Sequence, residues 1–455
     1  MLGALGVAAL AAAVGVANVV AAQRATERAE RLSALDGVVA PFAAPLTATW
    51  EATTALGASW TDGLVLRWQD LRDGVELQAL DPVTGAVLWT VPRGFAGRAP
   101  QGVDWCERVA GSAERPVVLC WRVSPVVVEN PDGTTSTYEG ELVVLDAGDG
   151  SVVAEHPIAL PSSGYDVLDG DVVLGYRTGD VVRVVRTDPV SAVPVWEREL
   201  PLTARQPDGS PSAWLTVEHG LVVVHGPTTV VLDADGTTLG TWDVPAVDTQ
   251  GASVPLEGAV VGVTEQGFGT WADVVGRTRA STGTWHDRTG AAMTPLEGFL
   301  AEPEVTDGSE SHVVLTASAG QELRATDTRT GEVRWTRPFT GGEVLVRRDG
   351  SAVVADDRRV FSLDVRTGAE QWSVPVAGAR ADLGTVTDGE RVLLLAQDAG
   401  RWLLHAVSLD GIPLWTSALP AAAALPDVVG GGRPVLVEVR GTVVLDGAQT
   451  MIGLG

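Results

Sequence analysis

After residue 48, apolar and polar residues alternate in short runs, and turn residues separate one run from the next. Gly63-Leu-Val-Leu-Arg-Trp68, Asp171-Val-Val-Leu-Gly-Tyr176 and Arg391-Val-Leu-Leu-Leu395 are typical. A period of two over five or six residues predicts strands with one covered face. Few segments beyond residue 48 carry helical spacing, so the chain reads as all-β.

A recurring unit punctuates the strands. Ala325-Thr-Asp327-Thr-Arg-Thr330-Gly331-Glu-Val-Arg-Trp335 has near copies in Ala79-Leu-Asp81-Pro-Val-Thr84-Gly85-Ala-Val-Leu-Trp89 and Ser362-Leu-Asp364-Val-Arg-Thr367-Gly368-Ala-Glu-Gln-Trp372. Each predicts a strand ending at the Asp, a tight turn through Thr-Gly, and a second strand ending at the Trp. The Gly supplies a positive φ, and the Asp carboxylate can accept turn N–H groups two residues on. A Trp once per repeat predicts an element that packs each repeat on the next. The spacing resembles the tryptophan-docking repeat of the quinoprotein-like (PQQ-like) β-propeller family over residues 45–455, which implies four-stranded blades in a closed ring.

The motif falls at Asp81, Asp146, Asp188, Asp233, His286, Asp327, Asp364, Asp410 and, weakly, Asp446. Copies degrade in different ways. Asp188 reaches Trp196 in the usual eight residues but has Ala192 in place of Gly; Asp233 to Trp242 is one longer; Asp410 reaches Trp415 by a much shorter turn. Asp146 has Ala154 at the Trp position, and the fifth copy has His286 for Asp and Thr294 for Trp. Where the indole is missing, another apolar side chain must fill the gap. Only closure removes the exposed sheet edge of a ring, so the first strand, near Trp50, is expected to complete the short last blade. That gives eight blades, with seven or nine also compatible with the motifs.

Residues 1–22 carry no charge, and as a helix they match a hydrocarbon core of about 30 Å, so a single membrane anchor is expected. A cleaved signal peptide is the competing reading, with Val20-Ala-Ala22 as a small-residue site. Residues 23–48 are expected to be a charged helical extension and a linker, and residues 49–455 the propeller. Cys106 and Cys120 are the two cysteines of the chain. Paired strands would bring them within bonding reach, and such a pair points to a disulfide in an oxidising compartment outside the cytoplasmic membrane, with buried thiols as the alternative. Arg24, Arg28 and Arg31 after the apolar run oppose that orientation by the positive-inside rule. The insertion between Asp81 and Asp146 reads equally as a recognition loop and as a stapled long blade.

Net charge is −26, with 58 acidic against 32 basic residues. Such a field repels a polyanion, so no nucleic acid partner is expected. There is no Lys, which removes Schiff-base chemistry. The six His residues show no metal-ligand spacing, and the acidic turns lack the bidentate Glu of a calcium loop. The resemblance implies one chemical alternative, a dehydrogenase using pyrroloquinoline quinone and calcium. In many such enzymes the quinone lies between a Trp and a ring formed by adjacent cysteines, and this sequence has no adjacent cysteines. No catalytic residue, cofactor or metal is predicted. The expectation is a membrane-tethered binding or scaffold module facing an envelope protein or cell-wall partner. Its named residues are structural: Asp81, Gly85, Trp89, Asp188, Trp196, Asp233, Trp242, Asp327, Gly331, Trp335, Asp364, Gly368, Trp372, Asp410 and Trp415, with Cys106 and Cys120 as a disulfide.

Overall fold

The structure, a computed structural model, describes residues 37–53, 58–61, 63–71, 74–92, 105–109, 115–127, 136–158, 163–178, 180–201, 213–226, 228–243, 260–271, 282–301, 305–318, 322–339, 342–419, 434–447 and 450–455, with Leu35 and Pro303. Among these residues nine antiparallel sheets form nine blades. Blades 1 to 5 span 58–92, 105–158, 165–201, 214–243 and 260–297. Blades 6 to 8 span 299–338, 342–375 and 385–418. Blade 9 joins 435–454 to Ala48–Thr53. Blade 7 gains a fifth strand, Val305–Thr306, paired in parallel with its innermost one.

The apolar faces that the period-two pattern predicts are buried between blades. Each of nine hydrophobic clusters is shared by two successive blades, the last joining blade 9 to blade 1. The core is therefore a set of radial seams, and each blade depends on both neighbours.

The first strand does complete the last blade: Ala48–Thr53 pairs antiparallel with Thr450–Leu454. The blade count is nine, not eight. Eight blades each have their own turn before the outermost strand, and the ninth has none because its outermost strand is the first of the chain. Asp446 instead ends the second strand of blade 9, Thr442–Asp446. The turn it was expected to mark is replaced by the meeting of distant segments, where the Thr47 and Gly455 N–H groups each donate to the other's carbonyl at 3.0 Å.

Residues 37–47, expected as part of a linker, lie against the propeller. Val38 bridges Thr387, the Ala40 N–H donates to the Gly441 carbonyl (2.6 Å), and the Phe42 N–H donates to the Asp388 carboxylate (3.1 Å). Val39 and Phe42 are buried in the cluster between blades 8 and 9. The predicted anchor at 1–22 and all of the charged extension except Leu35 fall outside the described residues. Among the described residues no helix is long and apolar enough to cross a membrane, and the one helical element is a 3-10 turn, Ala381–Leu383.

Candidate functional site

The repeat residues converge on the turn between the third and outermost strands of blades 1 to 8. At Asp81 the carboxylate accepts the N–H groups of Val83 (2.9 Å) and Thr84 (2.8 Å) and the Thr84 hydroxyl (3.0 Å). These bonds favour the ionised form, and the Thr84 N–H leads in holding the Asp81 carboxyl below its ordinary range. Asp188 repeats the arrangement with Ser191, and Asp364 with Thr367. Burial pushes the Asp327 carboxyl up, but the Arg334 guanidinium at 2.5 Å and the Arg329 N–H outweigh it and leave it well below the carboxylate range.

The turn then receives the indole of the preceding blade. The Trp50 Nε1–H donates to the Pro82 carbonyl (2.8 Å), Trp89 to Ala147 (2.9 Å), Trp196 to Ala234 (2.8 Å), Trp335 to Val365 (2.8 Å) and Trp372 to Leu409 (3.1 Å). In every case the acceptor directly follows the residue that anchors the turn. The ring lies on the turn glycine: a Cβ on Gly85 would stand 2.5 Å from Trp50, and one on Gly368 would stand 2.6 Å from Trp335. Gly is thus needed for its positive φ, +67° at both positions, and for the bare surface under the neighbour's indole.

Four seams depart from this plan. At blades 2 and 3, Ala154 and Ala192 (φ 54°) stand where Trp and Gly stand elsewhere; His156 reaches that turn through the Val190 carbonyl, and Trp121 packs with Tyr165 further inward in the same seam. Between blades 5 and 6, Thr294 faces Gly331, and Trp271 and Trp285 are buried instead. Between blades 4 and 5, Gly240 holds the position expected of Trp242. The Asp233 turn is one residue tighter than the Asp81 turn, closing on Thr237 rather than five residues on, so Trp242 sits two residues past the docking position. Its ring covers Gly240 and meets Phe268 and His286 edge-on. Between blades 8 and 9, Trp415 occupies the docking position on its strand, but blade 9 has no turn to receive it. Its Nε1–H has no acceptor among the described residues, and Phe42 packs against its ring edge.

Two more positions shift for the same reason. Ser408, not Asp410, anchors the eighth turn, its hydroxyl accepting the Ile412 N–H (3.0 Å), while the Asp410 side chain is exposed. Asp287, not His286, anchors the fifth, accepting from Thr289 and Ala291. Gly150, Gly236 and Gly411 belong to the docking set but were given no docking role in the sequence, and Trp50 was read there only as the mark of the closing strand. Each is legible once the turn is aligned on its hydrogen-bonded anchor rather than on the Asp-to-Trp distance.

Cys106 and Cys120 lie opposite each other on paired strands of blade 2 and form a disulfide, buried in the seam with blade 1. This does not fit the quinone-facing ring of adjacent cysteines, since the bond joins separate strands and its sulfurs are enclosed by apolar side chains. The docked indoles do not fit a quinone sandwich either, because they lie on outermost strands against a neighbouring blade. Among the described residues no group of three or more His, Cys, Asp or Glu could hold a metal ion.

A cleft of about 270 Å³ lies on the face that carries the hairpins between first and second strands. His219, Glu265 and Gln266 from the hairpins of blades 4 and 5 line it, together with Ser311, Arg347 and Leu35. The Arg288 guanidinium ties two of the lining residues together by donating to the His219 (2.6 Å) and Thr264 (3.4 Å) carbonyls.

The family model described as outer membrane protein assembly factor BamB matches residues 47–243 and 272–449. The chain belongs to the PQQ-like β-propeller family. A serine/threonine-protein kinase, AfsK of Streptomyces griseus, is 32% identical to this PQQ-like propeller over 160 residues, covering 30% of this chain and 19% of the kinase. BamB from Moraxella catarrhalis shares 14% identity at a TM-score of 0.42, covering 90% of this chain and 99% of that one. A europium-containing methanol dehydrogenase shares 12% at 0.38, covering 88% and 84%. Neither of these two likenesses bears on what the PQQ-like propeller does.

Proposed function

We propose that this propeller is a non-enzymatic binding or scaffold module, tethered to the membrane by residues 1–22 and held outside the cytoplasmic membrane, where it engages an envelope protein or cell-wall partner. The observation that carries this reading is the use made of the repeat residues. The five docked indoles spend their N–H groups on the next blade's carbonyl and their faces on its glycine, and the motif carboxylates spend theirs on turn N–H groups. The repeated chemistry builds the wheel and leaves its surfaces for recognition. The family model's description as an assembly factor agrees with this, and the buried disulfide suits an oxidising compartment.

The test has two arms. Protease added to intact spheroplasts should degrade the propeller, and photo-crosslinkers on its exposed turns should trap a defined envelope partner. In parallel, the full chain is incubated with pyrroloquinoline quinone and calcium and assayed for dye-linked oxidation of alcohols and sugars. Turnover of any such substrate overturns the scaffold reading in favour of a quinoprotein dehydrogenase, and protection of the propeller in spheroplasts overturns its location.

A further inference from the structure

In a four-stranded meander the first and third connections lie at one end of the blade and the second at the other. The docking turns and the innermost hairpins therefore form one face of the wheel, and each outermost strand starts at that face. The exposed large apolar side chains of the described residues are distributed unevenly with respect to it. All except Trp214 sit in a docking turn or in the first half of an outermost strand. Val87 and Leu88 of blade 1, Val152 of blade 2, Val193 and Val195 of blade 3 and Ile412 of blade 8 are between 48% and 61% exposed. Single exposed apolar residues are ordinary on a soluble surface, but chance would divide them between both ends of the blades.

The path of the chain provides a second, independent observation. Leu35 lies in the cleft beside the inner hairpins of blades 4 and 5, and Gly37 lies beside Val305. The chain then runs past Thr387 and the Gly441 hairpin before entering its outermost strand at Ala48. It crosses the docking-turn face from axis to rim, and Leu35, the first described residue, lies at the central end of that path. What precedes it includes the uncharged run 1–22.

We propose that the docking-turn face lies flat on a lipid bilayer, with the anchor at its centre and the rim of Val, Leu and Ile side chains seated among the headgroups. This rests on the membrane-tethered reading above and adds to it an orientation and a contact surface. Each rim residue inserts too little apolar area to hold the protein alone, but a ring of them around a central tether fixes the tilt of the wheel. With a net charge of −26, the surface it fits is zwitterionic. The opposite face, with the connections between second and third strands, is left free for a partner.

The test uses the full chain in phosphatidylcholine vesicles, with an environment-sensitive fluorophore on a single added cysteine. Val87→Cys, Val193→Cys and Ile412→Cys report on the rim, and Thr178→Cys and Asp398→Cys on the opposite face. Rim probes should shift to the blue and lose emission to spin-labelled lipid, and the opposite probes should match those in solution. Phosphatidylserine in the vesicles should reduce the rim response. Protein that floats with the vesicles while its rim probes stay in water overturns the orientation and leaves the tether intact. Protein that does not float overturns both. Rim probes already buried without vesicles show that a second copy covers the rim, which also overturns the proposal.

Discussion

The seam between blades 6 and 7 and the seam between blades 2 and 3 share a topology and differ in chemistry. At the first, the Trp335 N–H reaches the Val365 carbonyl and its ring rests on Gly368. At the second, Ala154 and Ala192 stand at the two corresponding positions, and the polar link is from His156 Nε2 to the Val190 carbonyl at 3.0 Å. Indole and glycine are lost together. A Cβ on the turn is incompatible with a docked indole and harmless without one, so the two residues form one unit split between two blades.

The largest expected effect comes from breaking the intact seam. Trp335→Ala should lower stability by about 3–5 kcal/mol, as measured by reversible denaturant unfolding. A change below about 1 kcal/mol would mean that the indole is dispensable there. Next, the disulfide staples the blade whose outgoing seam lacks an indole. Replacing Cys106 and Cys120 together by Ser should cost about 3 kcal/mol, the chain-entropy value for a loop of about 15 residues, read from the same unfolding curves.

Restoring the missing pair gives a sharper test. Ala154→Trp alone should destabilise, because the Ala192 methyl occupies the ring's place, and Ala192→Gly alone should be nearly neutral. The double variant should exceed the sum of the singles by about 0.5–3 kcal/mol, and strict additivity would sink the idea of a shared unit. A smaller contrast separates Trp335 from Trp415, whose N–H has no acceptor. Trp335→Phe should cost about 1 kcal/mol more than Trp415→Phe in parallel melts.

The smallest effect is one of pH, away from the docked seams. Burial lowers the His225 pKa from 6.5 to about 4, so the unfolded chain takes up the proton first and stability falls as pH drops from 6.5 to about 4. Burial raises the Asp446 carboxyl from 3.8 to about 6, so the folded chain takes up that proton first and stability rises as pH drops from about 6 to 3.8. The two slopes oppose each other. Asp446→Asn removes the second, so the unfolding midpoint of the variant should fall more steeply than the parent's between pH 6.5 and 4.

Much of the architecture was legible in the sequence because strand alternation and turn chemistry are local. The Asp-to-Trp spacing carried the first, sixth and seventh docking turns without error. It failed where the turn tightens by one residue, at Asp233, Asp287 and Ser408, because the spacing shortens with the turn while the anchoring side chain keeps its role as acceptor. Asp410 and the displaced Trp242 then look like members of a motif they do not occupy, and Ser408, which does anchor its turn, goes unread. Closure by the strand of Trp50 was legible, and the blade count was not: the closing blade takes its outermost strand from the start of the chain and has no docking turn, so eight turns serve nine blades. The packing of residues 37–47 was hidden because Val39 and Phe42 are apolar in a segment with no strand pattern and gain meaning only beside blades 8 and 9.

Closure also sets a timetable. Thr49 and Gly453 are bonded across 404 residues, so the strand made earliest has no partner until nearly the whole chain has been synthesised. Throughout that interval Trp50 and an unpaired strand edge are open to misassociation with other chains, and a chaperone with affinity for extended apolar segments would have its natural target there.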